Sequence, residues 1–235
     1  MAMQLIAIAQ AGPIVIADGH HRYETALRYR DERRMTRSCE EDPAFDYILA
    51  LFLSMAQPLT VLPTHRIARG LPDEGRGLLA RAAEMFDVTP AQREALRAEF
   101  DSAALSPGGR GRIGLWTRDG GAILQARGAG FGGPDVDHAG SIGLDVAIVQ
   151  SALGRLAGID GDAISSGRLA YTRSAAEALD AVDARSDGAD AAFLLEPTPV
   201  AAIAAVARAG DVMPQKSTYF YPKALSGLIL NPLEW

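Results

Sequence analysis

The residues best suited to chemistry lie close together near the start of the sequence. Residues 18–24 hold five ionisable side chains in seven positions: Asp18, His20, His21, Arg22 and Glu24. Two of the four histidines of the chain are in this group. Guanidinium and imidazole groups bind oxyanions such as phosphate, and a carboxylate beside them can accept a proton from a hydroxyl group. The combination favours a phosphate site with a general base.

A short strand and a helix must position these residues. The apolar run Ile14–Ile16 predicts a strand, and apolar residues at helical spacing from Tyr23 onward predict a helix. Asp18 can cap this helix, and Gly19 permits a backbone conformation that other residues rarely adopt. The first turn of a helix presents N–H groups without helical partners, so it attracts anions.

Each charged residue of this group also has an ordinary structural explanation. Asp18 can be only a cap, Glu24 only a favourable charge at the positive helix end, and Arg22 only a solvated side chain. The density of ionisable groups at one helix end favours a ligand instead, because crowded charges cost stability. We therefore predict Asp18, Glu24 and His20 as catalytic residues, and Gly19, His21 and Arg22 as phosphate-binding residues.

A second pair of histidine and arginine follows Pro63. The proline is expected to end a strand and to present Thr64, His65 and Arg66 at its exit. A single histidine is more often a half-buried structural residue. A second His/Arg pair at a strand end favours a site shared with the first group.

The two lysines of the chain fall in one short block near its end. Of 23 lysine and arginine residues, only Lys216 and Lys223 are lysines. Lys216, Ser217 and Thr218 precede an aromatic run that can be a core strand, and they lack the glycines of a P-loop. The block is therefore open to a structural or a phosphate-binding interpretation.

Three blocks resemble motifs of one family. Ala17–Leu27 (ADGHHRYETAL) is similar to the signature of an uncharacterised bacterial family distantly related to the ParB/sulfiredoxin-like superfamily. Leu62–Arg66 (LPTHR) and Met213–Lys223 (MPQKSTYFYPK) resemble its later motifs in the same order. The resemblance implies a nucleotide or phosphate site at the turn before the helix, and free-serine kinases are the nearest superfamily members by motif.

The resemblance also bears on individual residues. It assigns phosphate contacts to Thr64, His65, Arg66, Lys216, Ser217 and Thr218. Sulfiredoxins carry a catalytic cysteine just before the histidine and arginine, where this chain has His20, so sulfinic acid reduction is not expected. The chain resembles the C-terminal portion of the family pattern, since only about ten residues precede the signature.

Composition limits the possible partners. The 235 residues carry a net charge of −6, and 48% of them are hydrophobic. An acidic chain lacks the basic face of a nucleic-acid-binding protein. Residues 1–70 are balanced in charge, so the excess acid lies in residues 71–235.

The lone Cys39 excludes an internal disulfide, and no apolar run is long enough to span a membrane, so a cytoplasmic protein is expected.

Strand and helix patterns alternate along the chain. They predict an α+β fold, with a partial ParB/sulfiredoxin-like part at residues 1–70, truncated at its N-terminus, and a mixed-sheet α/β domain at residues 71–235. Apolar residues 46–54 are expected to form a strand covered on both sides. Arg112–Thr117 and Ala122–Arg127 flank glycines and predict a hairpin.

Three functions compete. The first is a phosphotransferase acting on a small hydroxylated metabolite such as free serine, with pyrophosphate or a nucleotide as donor and Mg²⁺ as cofactor. The second is a non-catalytic nucleotide-sensing or partition-type module. The third, a metal hydrolase, is disfavoured because the adjacent His20 and His21 diverge on a helix. A homodimer or a separate N-terminal partner is expected to cover the exposed edge of residues 1–70.

Overall fold

The computed structural model describes residues 3, 6–7, 10, 12, 14–36, 42–102, 111–127, 145–159, 166–211, 213, 216–225 and 227–233. They form two compact units. Unit 1 comprises Met1–Thr60 and Phe220–Trp235, and unit 2 comprises Val61–Tyr219. The domains expected at 1–70 and 71–235 remain a prediction. Cys39 lies outside the described residues.

Unit 1 is built around helix α1 (His20–Thr36). The chain then forms a short 3₁₀ turn at Ala44–Asp46, and the Arg34 Nε donates to the Asp46 Oδ1 at 3.0 Å, which ties α1 to this turn. Two short strands, β1 (Thr60–Val61) and β8 (Phe220–Tyr221), form a separate two-stranded sheet. The described residues of α1 include none that is buried.

The two strands expected in unit 1 do not form. Residues 14–17 have no regular secondary structure, and Ile14 is exposed. Residues 47–54 are also irregular, and their side chains are exposed rather than covered on both sides. An apolar run forms a buried strand only when neighbouring strands pair with it, and none does so among the described residues of this unit.

Unit 2 contains one six-stranded sheet. Its order is β3-β5-β4-β7-β2-β6, and every described pairing is antiparallel. The strands are β2 (His65–Arg69), β3 (Phe86–Ala91), β4 (Arg112–Thr117), β5 (Gly120–Ala126), β6 (Leu169–Thr172) and β7 (Ala189–Leu195). The predicted hairpin is confirmed as β4 and β5, because Thr117 pairs with Gly120 across a two-residue turn.

Helices cover both faces of this sheet. These helices are α2 (Leu78–Ala82), α3 (Arg93–Ser102), α4 (Asp145–Ala157) and α5 (Ala175–Asp183). A further helix, α6 (Val200–Arg208), follows β7. One apolar cluster packs α2 and α4 against one face, and a second packs α3 and α5 against the other. Strand β7 is buried along its whole length because it lies inside the sheet with helices on both sides.

The α+β class predicted from the sequence is confirmed. Helices α4 and α5 are amphipathic, and each packs its apolar side chains against the sheet. Within the described residues, none of the helices combines the length and apolar character that crossing a bilayer requires.

Candidate functional site

The first predicted block forms a tight turn into α1. Gly19 adopts a φ of +89°, which favours glycine, and its carbonyl accepts a 3.0 Å hydrogen bond from the Tyr23 N–H. Gly19 rather than Asp18 therefore closes the first turn of the helix. The N–H groups that precede Tyr23 in the first turn have no acceptor within the helix.

The side chain of Arg22 folds back over this glycine. A Cβ atom on Gly19 would lie 2.9 Å from the Arg22 Nη2 and 3.2 Å from its Cζ. The same Nη2 lies 3.5 Å from the Asp18 Oδ2. Glycine is thus needed for the backbone conformation and for the close approach of the guanidinium. The Arg22 side chain is 77% exposed, so it keeps access to a ligand in solvent.

A second cation reaches Asp18 from the C-terminal segment of unit 1. The Lys223 Nζ donates to the Asp18 Oδ2 at 3.0 Å, and the Lys223 side chain is 38% exposed. One carboxylate oxygen therefore contacts both an ammonium and a guanidinium. The two residues are 205 positions apart in sequence, and their contact brings the first and last motif blocks together.

The remaining predicted residues of this block lie on the exposed surface of α1. The His21 Nδ1 is 3.5 Å from the Glu24 Oε2, one helical turn away. His20 is also exposed at the first position of the helix. Unit 1 thus groups two carboxylates, two imidazoles and two cations around one helix start: Asp18, Glu24, His20, His21, Arg22 and Lys223.

The second block lies within unit 2, and its local structure differs from the prediction. Strand β1 ends at Val61, before Pro63, but residues 65–69 then form a new strand, β2, in which His65 and Arg66 are fully buried. The Leu195 N–H donates to the His65 Nδ1 at 3.1 Å, and burial lowers the His65 pKa to about 4. His65 is therefore a neutral buried histidine at physiological pH, and its phosphate contact remains a prediction.

His65 and Arg66 point to opposite faces of the sheet. Side chains alternate along a strand, and Ile67 and Ala68 belong to the clusters on opposite faces. Arg66 shares the face of Ala68, where its Nη1 donates to the Gln150 Oε1 of α4 at 2.9 Å. The side chains of His65 and Arg66 therefore cannot both contact one small anion in this arrangement.

The third block is also divided. Lys216 is exposed with a φ of +56°, Ser217 is buried, and Thr218 is half-buried. The Thr198 hydroxyl donates to the Ser217 carbonyl at 3.0 Å, so a backbone group of the block is held in the interior of unit 2. Phosphate contacts of Thr64, Lys216, Ser217 and Thr218 stay predictions.

The chain matches the family described as "Protein of unknown function (DUF1015)" over residues 3–147, more than half of its length. The chain belongs to this family. The matched range contains the first two motif blocks of this DUF1015 protein but not residues 213–223.

Two other comparisons add little. No curated protein matches this DUF1015 chain significantly. One similar solved structure is described as "Free serine kinase in complex with AMP"; it shares 13% identity and a TM-score of 0.41, and the match covers 71% of this chain and 55% of that one. The DUF1015 chain therefore spans about half the length of that structure.

Sequence reasoning missed two kinds of partner. It noted that Lys223 is one of only two lysines, but no local pattern connects this residue with Asp18. It also missed Gln150 and Tyr171, which lie beside Arg66. Gln150 is a polar residue in a helix whose preceding residues, 146–149, are all buried and apolar, and that contrast was the available signal.

Proposed function

We propose that this DUF1015 protein binds a phosphate-bearing ligand at the start of α1 and transfers a phosphoryl group to a small hydroxylated metabolite such as free serine. The donor would be pyrophosphate or a nucleotide. The observation that carries the proposal is the Asp18 carboxylate, held by Lys223 at 3.0 Å and Arg22 at 3.5 Å at a helix start.

The cations and the helix start favour negative charge at one place. The helix dipole and the free N–H groups attract a phosphate, and guanidinium and ammonium groups add charge-assisted donors. Arg22 and Lys223 both retain exposed surface, so they can contact a ligand while they also contact Asp18. Gly19 leaves room for the Arg22 guanidinium at this helix start because it has no side chain.

Phosphoryl transfer also needs a group that positions the acceptor hydroxyl. A carboxylate within hydrogen-bond reach of that hydroxyl can accept its proton. Asp18 is our candidate because the two cations fix its position, with Glu24 and His20 as further candidates. His21 would contact the phosphate from the same turn.

Mg²⁺ is the cofactor expected for this reaction. The described residues contain no group of three or more His, Cys, Asp or Glu side chains that could hold a metal ion. Mg²⁺ commonly binds through substrate phosphates and one or two carboxylates, so a site of this kind fits Asp18 or Glu24 together with the donor. When bound, it would neutralise charge on the transferring phosphoryl group.

Unit 1 also suggests a protein partner. Its exposed apolar side chains include Leu51, Phe52, Leu228 and Ile229. Large exposed apolar surfaces commonly mark interaction sites. We propose that a second copy of the chain, or a separate protein partner, covers this surface.

Binding is tested by thermal shift with pyrophosphate, ADP, ATP and CTP, each with and without Mg²⁺. A ligand at 100 times its dissociation constant should stabilise the protein by about 2.7 kcal/mol. Arg22→Ala and Lys223→Met should each remove most of this shift. Arg28→Ala, an exposed arginine farther along α1, is the matched control and should retain it. Equal shifts in all four proteins would place the ligand elsewhere.

Catalysis is tested by phosphorylation of free serine with the donors that bind. Asp18→Asn should remain folded and bind the donor, but lose about 10²-fold or more in turnover because the proton acceptor is gone. If Glu24→Gln loses turnover while Asp18→Asn keeps it, Glu24 is the base. Donor binding without turnover by the unaltered protein would support the sensing module instead.

A further inference from the structure

Arg66 is the largest fully buried side chain of unit 2, and only one of its three nitrogens has a hydrogen-bond partner among the described residues. Its only hydrogen bond within the described residues runs from Nη1 to the neutral amide oxygen of Gln150. Its Nε and Nη2 are buried and have no partner among those residues. Leaving buried charged donors unpaired is costly, so something other than the described side chains is expected to bind them.

The unpartnered atoms have a specific geometry. Nε and Nη2 form one edge of the planar guanidinium, and such an edge binds two oxygens of a carboxylate or phosphate through parallel hydrogen bonds. Gln150 occupies only the opposite end, at Nη1. The Nε/Nη2 edge, which is suited to an oxyanion, is therefore the edge that has no partner among the described residues.

A third donor without a partner among the described residues lies on the same face of the sheet. Tyr171 is directly opposite Arg66 in the β2–β6 pairing, and its hydroxyl is buried without a partner in the described part of the chain. The side chains of directly opposed residues lie on the same face of a sheet. The phenol and the guanidinium edge therefore lie on one face of neighbouring strands.

Among the described groups, no carboxylate supplies a counter-charge to Arg66. Burial lowers the Arg66 pKa to about 10, and Tyr171 is the only described group whose charge acts on it. Burial in turn raises the Tyr171 pKa, so its hydroxyl stays protonated and can donate. An oxyanion would supply the missing negative charge.

Arg66 is fully buried, but the side chains that cover it are partly exposed. Both neighbours that contact or face it, Gln150 and Tyr171, are only half-buried. A change of rotamer in either side chain is a small, local motion and can give a small anion access to the free edge.

From these observations we propose that Arg66 and Tyr171 form a receptor in unit 2 for a small oxyanion, either a carboxylate or a phosphate group. The Arg66 Nε and Nη2 donate to two of its oxygens, and the Tyr171 hydroxyl donates to one. This receptor is built from unit 2 alone, and it does not depend on the reaction proposed for the start of α1.

The test uses the full chain carrying Arg22→Ala and Lys223→Met, which removes the proposed ligand site of unit 1. Isothermal titration calorimetry with inorganic phosphate and with malonate, at constant ionic strength set by chloride, then measures the remaining binding. The tighter of the two anions identifies the group that the receptor prefers.

Two further substitutions are then added separately. Tyr171→Phe should weaken anion binding about tenfold, because one hydrogen bond to a charged group is lost. Arg66→Met should abolish detectable binding, and it should fold because an apolar side chain of similar length often replaces a buried charge without loss of stability. Arg97→Gln, an exposed arginine of the same unit, is the control and should bind as before.

Two results would overturn the receptor. One is that the Arg22→Ala/Lys223→Met chain binds neither anion. The other is that it binds them equally well with and without Arg66→Met. Neither result affects the ligand shift expected from Arg22 and Lys223 in the unaltered protein, so the two proposals can fail separately.

Discussion

The two compact units of this protein differ in what they bury. Every residue of the two apolar clusters lies in unit 2, between the sheet and the helices on its faces. In the described part of unit 1, only Pro43 and Ala44 are buried. Unit 1 instead exposes a long apolar segment, residues 47–55, and further large apolar side chains in residues 225–233.

This difference separates two ways of holding a functional group. Unit 2 fixes His65 and Arg66 by burying them in a sheet, so their positions depend on the apolar core. Unit 1 fixes Asp18 by exposed contacts with Arg22 and Lys223. Exposed ion pairs contribute little to stability, so these contacts add little to the fold of unit 1.

The largest expected effect is the loss of stability when a buried phenylalanine of unit 2, rather than an exposed one of unit 1, is replaced. Phe193→Ala should destabilise unit 2 by about 3–5 kcal/mol, because Phe193 is fully buried in the larger cluster and its removal leaves a cavity. Phe52→Ala, the same change on the exposed surface of unit 1, should stay within about 0.5 kcal/mol. Urea unfolding followed by circular dichroism measures both. Similar losses in the two variants would show that Phe52 is buried in solution.

Sequence patterns predicted the elements of unit 2 better than those of unit 1. The β4–β5 hairpin has turn glycines, and α4 and α5 have apolar residues at helical spacing. The apolar side chains of these elements also pack in the core of unit 2, which stabilises the same structure. Residues 46–54 carry an equally strong apolar signal. An apolar run indicates that a segment can be buried. It does not show which strands or which partner would bury it, because those residues lie elsewhere in sequence.

The same limit applies to the candidate site. Composition around Asp18 predicted the turn at Gly19 and the helix that follows, because caps and turns are local. The Lys223 contact and the Arg66–Tyr171 pairing join residues that are far apart in sequence. Strand register and chain topology create these contacts, and neither could be read from single motifs.

A second expected effect is a pH dependence that belongs to unit 2. Burial lowers the His65 pKa to about 4, whereas an unfolded histidine titrates near 6.5. Between these values the unfolded chain binds more protons, so stability should be complete above pH 6.5 and fall as the pH drops towards 4. The difference corresponds to a loss on the order of 3 kcal/mol.

Urea unfolding at pH 7 and at pH 4.5 measures this dependence. His65→Gln offers an acceptor for the Leu195 N–H but does not titrate, so its stability should change much less over this range. If the variant and the unaltered protein lose equal stability, other groups cause the acid sensitivity and His65 is not buried as a neutral side chain.

The smallest expected change in stability concerns the apolar surface of unit 1. Leu51→Glu and Ile229→Glu replace side chains that are 67% and 69% exposed, so each should alter the free energy of unfolding by less than about 0.5 kcal/mol. Their effect on association should be larger, because a charge buried in an interface without a partner is costly. Size-exclusion chromatography with light scattering, over a range of protein concentrations, measures the association.

Gln92→Glu adds the same charge to an exposed position of unit 2 and is the matched control. If a second copy covers unit 1, the unaltered protein and Gln92→Glu should form dimers, whereas Leu51→Glu and Ile229→Glu should shift towards monomers. A monomer at every concentration in all four proteins would exclude the second copy as the cover. A separate partner would then be the remaining candidate, because these large apolar side chains are exposed in unit 1 and such surfaces commonly mark interaction sites.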